Sequence, residues 1–428
     1  RKVGPSGNVR MFGPGCPIMA LVPRTPRAQL LLLAGGVVLA MSPWFATSAV
    51  IGELRVRWSI GTLEASLLVI TVQVGFVLGA VASAVTGLAD RVRPRRLVLV
   101  GALGAASANA LVVVGDTFGS ALVFRTLTGA FLALVYPSAM KAMSSWFAEG
   151  RGFALGVMIG GLTLGSALPH LVNALGGLAW EPTLLIISGL TLVGGLAIEV
   201  FGGPGPHLAP PAPFDAGRIR GVVANRSFRL ASLGYFGHMW ELYAMWAWVA
   251  AFSGDLVEGR AASAVAFAVI GVGALGSIHA GRVSDRVGRA YAARRAMELS
   301  GFVALFAGFL VDVPVPIVVA VLLVWGYAVV ADSAQFSTIV SEVVPKDSVG
   351  TALTLQLAAG FVLSVVTIFL VPWLRDEFGW GVAFAALAPG PAVGVWAMRT
   401  LDGDQVLRRR SSKPNTAAPT TTKPITNT

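Results

Sequence analysis

The chain has 428 residues, 55% hydrophobic and 12% charged, with 32 Lys and Arg against 21 Asp and Glu for a net charge of +11. A soluble domain carries about 25% charged residues, so a soluble globular fold is excluded, and a mean hydropathy of +0.75 points to a chain built largely for lipid. The basic residues sit in short loops, not in a patch interleaved with aromatics, which argues against nucleic-acid binding; the single Cys16 excludes an internal disulfide, and four scattered histidines suggest no metal centre.

Residues 1–27 form an expected N-terminal cytoplasmic segment without a signal-peptide pattern. Met19-Ala20-Leu21-Val22-Pro23-Arg24 reads as a start, which would make residues 1–18 an upstream extension. Twelve apolar segments follow, near 28–51, 62–86, 96–115, 118–141, 151–173, 182–202, 228–252, 261–281, 294–312, 315–339, 348–372 and 380–398. Most reach the ~20 residues a helix needs to cross the hydrocarbon. Helices are expected because lipid offers no partner to an unpaired backbone group. The predicted fold class is therefore all-α, a polytopic membrane protein of two six-helix bundles, 28–202 and 228–398. A Pro-rich cytoplasmic linker, 203–227, joins them, and a disordered tail, 399–428, ends the chain.

Segment by segment, polar residues inside spans mark candidate sites, because they are costly in lipid and turn toward a cavity. The first span holds Ser42, Pro43, Trp44, Thr47 and Ser48, with Pro43 freeing a carbonyl and bending the helix. Gln73 lies mid-way along the second span. The fourth holds Arg125, then Tyr136 and Pro137. Arg125 is expected to bind an anion or to gate through an acidic partner, with a snorkelling side chain as the plainer reading. The fifth span carries Gly152, Gly156 and Gly160 at spacing four, a ridge for close helix packing.

The seventh span is the densest: Tyr235, His238, Trp240, Glu241, Tyr243, Trp246 and Trp248. His238 and Glu241 share a helix face. Glu241 is the first candidate for proton coupling, with His238 as its relay, and a satisfied structural pair is the bland alternative. The tenth span adds Asp332, a second proton-coupling candidate, and Gln335; the eleventh adds Gln356. The expected substrate-binding set is Trp44, Gln73, Arg125, Tyr136, His238, Trp240, Glu241, Trp246 and Gln335.

The loops fix an orientation. With the N-terminus inside, the inside loops and tails hold 27 Lys and Arg and the outside loops hold 4. That asymmetry predicts both termini in the cytoplasm. Two inside loops echo each other: Gly87-Leu88-Ala89-Asp90-Arg91 after the second span, and Gly281-Arg282-Val283-Ser284-Asp285-Arg286-Val287-Gly288-Arg289 after the eighth. A topogenic loop needs the arginines, yet it needs neither the Gly, the Asp nor their repetition.

In these loops and in its span count the chain resembles the major facilitator superfamily over residues 28–398. The family pattern is Gly, three residues, Asp-Arg, then Gly-Arg-Arg or Gly-Arg-Lys. The second copy keeps that spacing; the first is one residue short, with Arg93-Pro94 where the family has Gly. The resemblance implies two pseudo-symmetric halves. It also implies alternating access and gating by Gly87, Asp90, Arg91, Gly281, Asp285, Arg286 and Arg289. The function expected is secondary transport of a small solute, a small anion first, across the plasma or bacterial inner membrane, coupled to protons. Drug or metabolite efflux is the rival, and a non-transporting membrane receptor a distant third. Partners would be a small-molecule substrate, protons and membrane lipids, with no nucleic acid. No cofactor, no metal, no enzyme activity and a monomeric state are expected, and no phosphate-binding loop suggests an ATP-driven pump.

Overall fold

A computed structural model describes residues 25–147, 149–176, 178–207 and 214–411. Cys16, the expected start at Met19, the linker residues Pro210, Pro211 and Pro213, and the tail beyond Ser411 lie outside the described residues. So do the side chains of Ala89, Asp90 and residues 404–411. Among the described residues every regular element is a helix.

The first apolar segment is broken. Helix α1 (Pro26–Ala40) gives way to a 3-10 turn at Ser42–Phe45, a short α2 (Ala46–Ala49) and α3 (Ile51–Trp58). Pro43 lies in that turn, as its missing N–H predicts. Then come α4 (Thr62–Val85), α5 (Leu88–Arg91), α6 (Pro94–Gly115), α7 (Phe118–Ser144), α8 (Arg151–Gly176) and α9 (Trp180–Phe201). The second half has α10 (Ile219–Ala224), α11 (Arg226–Leu256), α12 (Arg260–Val287), α13 (Arg289–Ala307), α14 (Val315–Val329), α15 (Ser333–Val343), α16 (Val349–Ala385) and α17 (Pro389–Ser411).

Local chemistry sets several boundaries. Thr117 and Asn225 cap α7 and α11 by accepting the Ser120 and Phe228 N–H groups at 3.2 and 3.1 Å. Glu64 reaches back to the Gly61 N–H at 2.6 Å. Asp116 ends α6 in a left-handed conformation, φ 39°. It pairs there with Arg57, whose hydrogen bond holds the Asp116 carboxyl below its usual range.

Nine stretches among the described residues are long and apolar enough to cross a membrane. One of them, Lys346–Gly403, is 58 residues long and is interrupted by Gly379 at φ 81°, ψ 173°. Neither α11 nor α13 is among the nine: the first carries His238 and Glu241, the second Arg294, Arg295 and Glu298. The chain is thus an all-α polytopic membrane protein. Its last helix continues past the expected tail boundary at 399, and Leu401 is still buried.

Each half contains a very close helix crossing in which glycines of both helices take part. A Cβ on Gly75 of α4 would strike the Thr126 backbone of α7, and one on Gly129 would strike Val72. In the second half, Gly276 of α12 meets the Tyr327 backbone and Gly326 of α14 meets Val269. Two crossings in corresponding places support a repeated unit. Gly129→Ala is expected to lower stability by about 1–3 kcal/mol, since the backbones must separate. Gly35→Ala, with open space around it, is the neutral control. Thermal unfolding in detergent would check both, and equal melting temperatures would contradict the crossing.

The linker is fastened at both described ends. On the first half, His207 N–H donates to Ser145 O at 2.8 Å and Trp146 Nε1 to Gly203 O at 3.1 Å. On the second, Asp215 N–H donates to Thr351 Oγ1 at 2.9 Å. Arg218 pairs with Asp215 and with Asp347, holding the Asp347 carboxyl below its ordinary range.

Candidate functional site

The site begins at the break in the first span. Arg125 of α7 is fully buried. Its Nη1 donates to Pro43 O at 2.7 Å and to Asn109 Oδ1 at 3.3 Å. Its Nη2 donates to Trp44 O at 2.5 Å and its Nε to Leu68 O at 3.3 Å. The carbonyls that the 3-10 turn releases are therefore paired by one guanidinium, whose planar fork suits several acceptors at once. Asn109 passes the connection on, its Nδ2 donating to Leu184 O at 3.0 Å and Ser188 Oγ at 3.1 Å.

This arrangement sets Trp44 at the apex of a cavity of about 510 Å³ between the halves, within the usual range for small-molecule sites. Trp44, Phe76, Tyr243, Trp246 and Phe361 close its inner end. Ring centroids are 4.8 Å apart for Trp44 and Phe76, 4.7 Å for Phe76 and Phe361, and 5.1 Å for Tyr243 and Phe361. Phe45 adds an edge contact to Trp246 at 5.8 Å. These rings join the first half to the second across the end of the cavity. At its other end the cavity reaches Gly87, Lys141, Ser144, Arg151, Phe214 and Gly350, so it opens on the face that carries the Asp90 and Asp285 loops. Lys141 and Arg151 are the only Lys, Arg, Asp or Glu side chains among its described lining residues.

Of the residues expected to bind substrate, Trp44, Tyr136, His238 and Trp246 line this cavity, and Gln356 joins them. Five others lie off its wall. Arg125 is consumed by the four acceptors just described. Trp240 donates to Ala386 O at 3.0 Å, holding α11 to the last helices. Gln73 and Gln335 are fully buried, with neither amide partnered among the described residues. Glu241 faces into its own half, where it accepts from Ser300 Oγ at 2.8 Å and Trp325 Nε1 at 2.6 Å.

His238 is the wall residue with a titratable partner behind it. Its Nδ1 lies 2.7 Å from Asp332 Oδ1. Its Nε2 lies 2.9 Å from Ser333 Oγ. Asp332 sits where α14 ends and α15 begins, a break that leaves Val330 and Ser333 on the cavity wall. Across the cavity, Tyr136 and Pro137 of α7 supply the facing wall.

The second echoed loop clasps the halves. Asp285 accepts the Gly152 and Phe153 N–H groups at the start of α8, at 3.1 and 3.0 Å. It thus satisfies a helix N-terminus in the opposite half. Arg282 lies 4.6 Å from the Phe153 ring, and Arg289 Nε donates to Glu342 at 2.8 Å. Deeper in the same seam, Gly281 meets the Gly152 backbone, and Ser277 Oγ donates to Gly156 O at 3.0 Å. The expected glycine ridge of α8 is therefore its contact with α12. In the first loop, Gly87 has φ 63°; Arg95 donates to Gly202 O at 3.1 Å and Arg96 to Glu199 at 3.4 Å. For Arg91 and Arg286 the structure places exposed side chains on the same face.

Sequence reasoning missed Asn109, Ser300 and Trp325, which hold the buried Arg125 guanidinium and Glu241 carboxyl group. A lone buried charge in a span is the signal that such partners must exist, though not where.

A family model described as Major Facilitator Superfamily matches residues 32–326. A fujikurins efflux protein of Gibberella fujikuroi is 25% identical over 162 residues, 36% of this chain and 34% of that protein. The multidrug efflux pump LfrA of Mycolicibacterium smegmatis is 31% identical over 149 residues, 32% of this chain and 28% of that one. The matches thus span about a third of the length of these relatives. Among solved structures, the human organic anion transporter MFSD10 (TETRAN) superposes with a TM-score of 0.65 at 14% identity, covering 88% of this chain and all of that one.

Proposed function

The chain belongs to the major facilitator superfamily, and from that premise we propose that it carries a small organic anion by alternating access. The observation that carries the reading is the wall of the cavity, aromatic along its depth with Lys141 and Arg151 as its only ionised side chains among those described. Such a wall suits a flat apolar body with one negative group. Twelve crossings, with the arginine-rich face toward the cytoplasm, fit the charge asymmetry of the loops. The cavity is then open to the cytoplasm and plugged on the outer side.

Coupling to protons runs through His238 and Asp332. The imidazole is on the wall, where solute and water reach it, and the carboxylate is directly behind. Glu241 is a second acid, one helix turn away and closed off from the cavity. Asp332→Asn is expected to keep solute exchange in proteoliposomes and to lose accumulation driven by a pH gradient. Accumulation at the unaltered level would move the coupling role to Glu241, which Glu241→Gln then tests.

Efflux is the second reading. The efflux proteins among its relatives and the aromatic wall both favour a bulky exported compound. Flux of aromatic carboxylates and of cations of equal size, with and without a pH gradient, separates the two. Equal flux for both charge classes would refute the anion reading, and flux of neither would refute transport itself.

A further inference from the structure

Beyond the aromatic plug the wall changes character. On α8, Leu155, Ile159 and Leu162 face the cavity. Carried outward at helical spacing, that face presents Ser166, His170 and Asn173. The direction in which it looks is set by Asn173, whose Nδ2 donates to Ala49 O at the end of α2 at 2.6 Å. That short helix follows directly on Trp44 and Phe45 and carries Thr47 and Ser48.

Ser166, His170, Thr47 and Ser48 are buried, at 1%, 0%, 0% and 4% exposure. The three hydroxyls and both ring nitrogens of His170 have no hydrogen-bond partner among the described residues. Such atoms are rare in folded proteins and each calls for a reason. Packing supplies none, because an apolar side chain of similar shape would be more stable in the same place. A second conformation does supply one, in which the plug parts and these groups face water or solute.

We propose that Ser166, His170, Thr47 and Ser48 form a polar subsite in the outer half of the path, which takes the oxygen-bearing head of the solute once the plug opens. The inference rests on the carrier reading above. Hydroxyls and an imidazole can all donate to a carbonyl, hydroxyl or carboxylate oxygen, and the Asn173 amide at the next turn continues the same lining. In the closed arrangement the subsite is shut beneath Trp44, Phe45 and Trp246. Its unpaired atoms then raise the energy of that state and favour the opening.

The test uses single cysteines in a Cys16→Ser background and a charged methanethiosulfonate reagent that does not cross lipid, applied to vesicles of both orientations. Ser166→Cys and Thr47→Cys are expected to react from the face opposite the Asp285 loop. Ser337→Cys, on the wall of the central cavity, is expected to react from the Asp285 face. His170→Phe in the Ser166→Cys protein should slow that reaction by about tenfold, because an open state is no longer favoured by hydrating the imidazole. His170→Gln should restore it.

Reaction at residues 166 and 47 from neither face, or from the same face as residue 337, overturns the subsite and leaves the carrier reading standing. An unchanged rate in His170→Phe also overturns it, since a merely structural histidine would not bias access from one side. Should Ser337→Cys fail to react from either face, the central cavity is lost and both readings fall together.

Discussion

Replacing Arg125 with leucine is expected to cost about 3–5 kcal/mol of stability and to abolish transport. The reason is the number of groups the guanidinium satisfies in a place without solvent. Three backbone carbonyls and Asn109 Oδ1 accept from it, and each buried acceptor left unpaired costs about 1–3 kcal/mol. Two of the carbonyls belong to the 3-10 turn that holds Trp44 at the cavity apex, so function is lost along with stability. Arg125→Lys should fall between, because a point ammonium cannot cover four acceptors spread over two helices and a turn. Thermal unfolding in detergent reads the stability and proteoliposome flux reads the function. A leucine variant as stable as the parent would refute the account. Asn109→Ala offers an independent check, since it removes one acceptor and two onward bonds to α9.

Asp285→Ala should weaken the seam between α8 and α12 and shift the halves toward separation at the loop face. A helix cap is worth about 0.5–2 kcal/mol, so the closed-seam population can fall by up to about thirtyfold. On the carrier reading transport then slows, because an alternating cycle needs both arrangements at comparable energies. Spin labels at the loop-face ends of α8 and α12 would show a longer, broader distance distribution. Asp285→Asn should retain part of the effect, because its oxygen still accepts one of the two N–H groups. Distances and flux equal to those of the parent would exclude a clasp. Gly152→Ala is a harsher perturbation of the same place, since an added methyl meets Asp285 and the Gly281 backbone.

Much of this architecture could be read from the chain itself. The apolar runs announced an all-helical membrane fold, and the echoed Asp loops pointed to the place where Asp285 joins α12 to α8. Pro43 announced a break in the first span, because a missing N–H has only local consequences. The partners of buried charges were not legible in the same way. Arg125 stood out as a charge in lipid, but its acceptors are backbone carbonyls, which leave no mark in a sequence. Glu241 is held by Ser300 and Trp325 from two other helices, and the pairing depends on how those helices lie. The crossings at Gly75 with Gly129 and at Gly276 with Gly326 were equally hidden. Glycine is common in membrane helices, and only the approach of a second backbone distinguishes these four. Trp240 shows the converse. Polarity inside a span directs a side chain away from lipid, and a carbonyl beyond a neighbouring helix, that of Ala386, satisfies its indole N–H as readily as a cavity would.

The fastened linker sets a limit on travel. His207 is tied to the first half and Asp215 to the second, so only eight peptide steps join the two anchors. Fully extended, that length reaches about 28 Å. The tether is therefore a short leash that caps how far those two anchors can part. Lengthening the stretch between those anchors would raise that cap without touching any wall residue, and shortening it would lower it, so linker length alone should tune the reach of one half from the other.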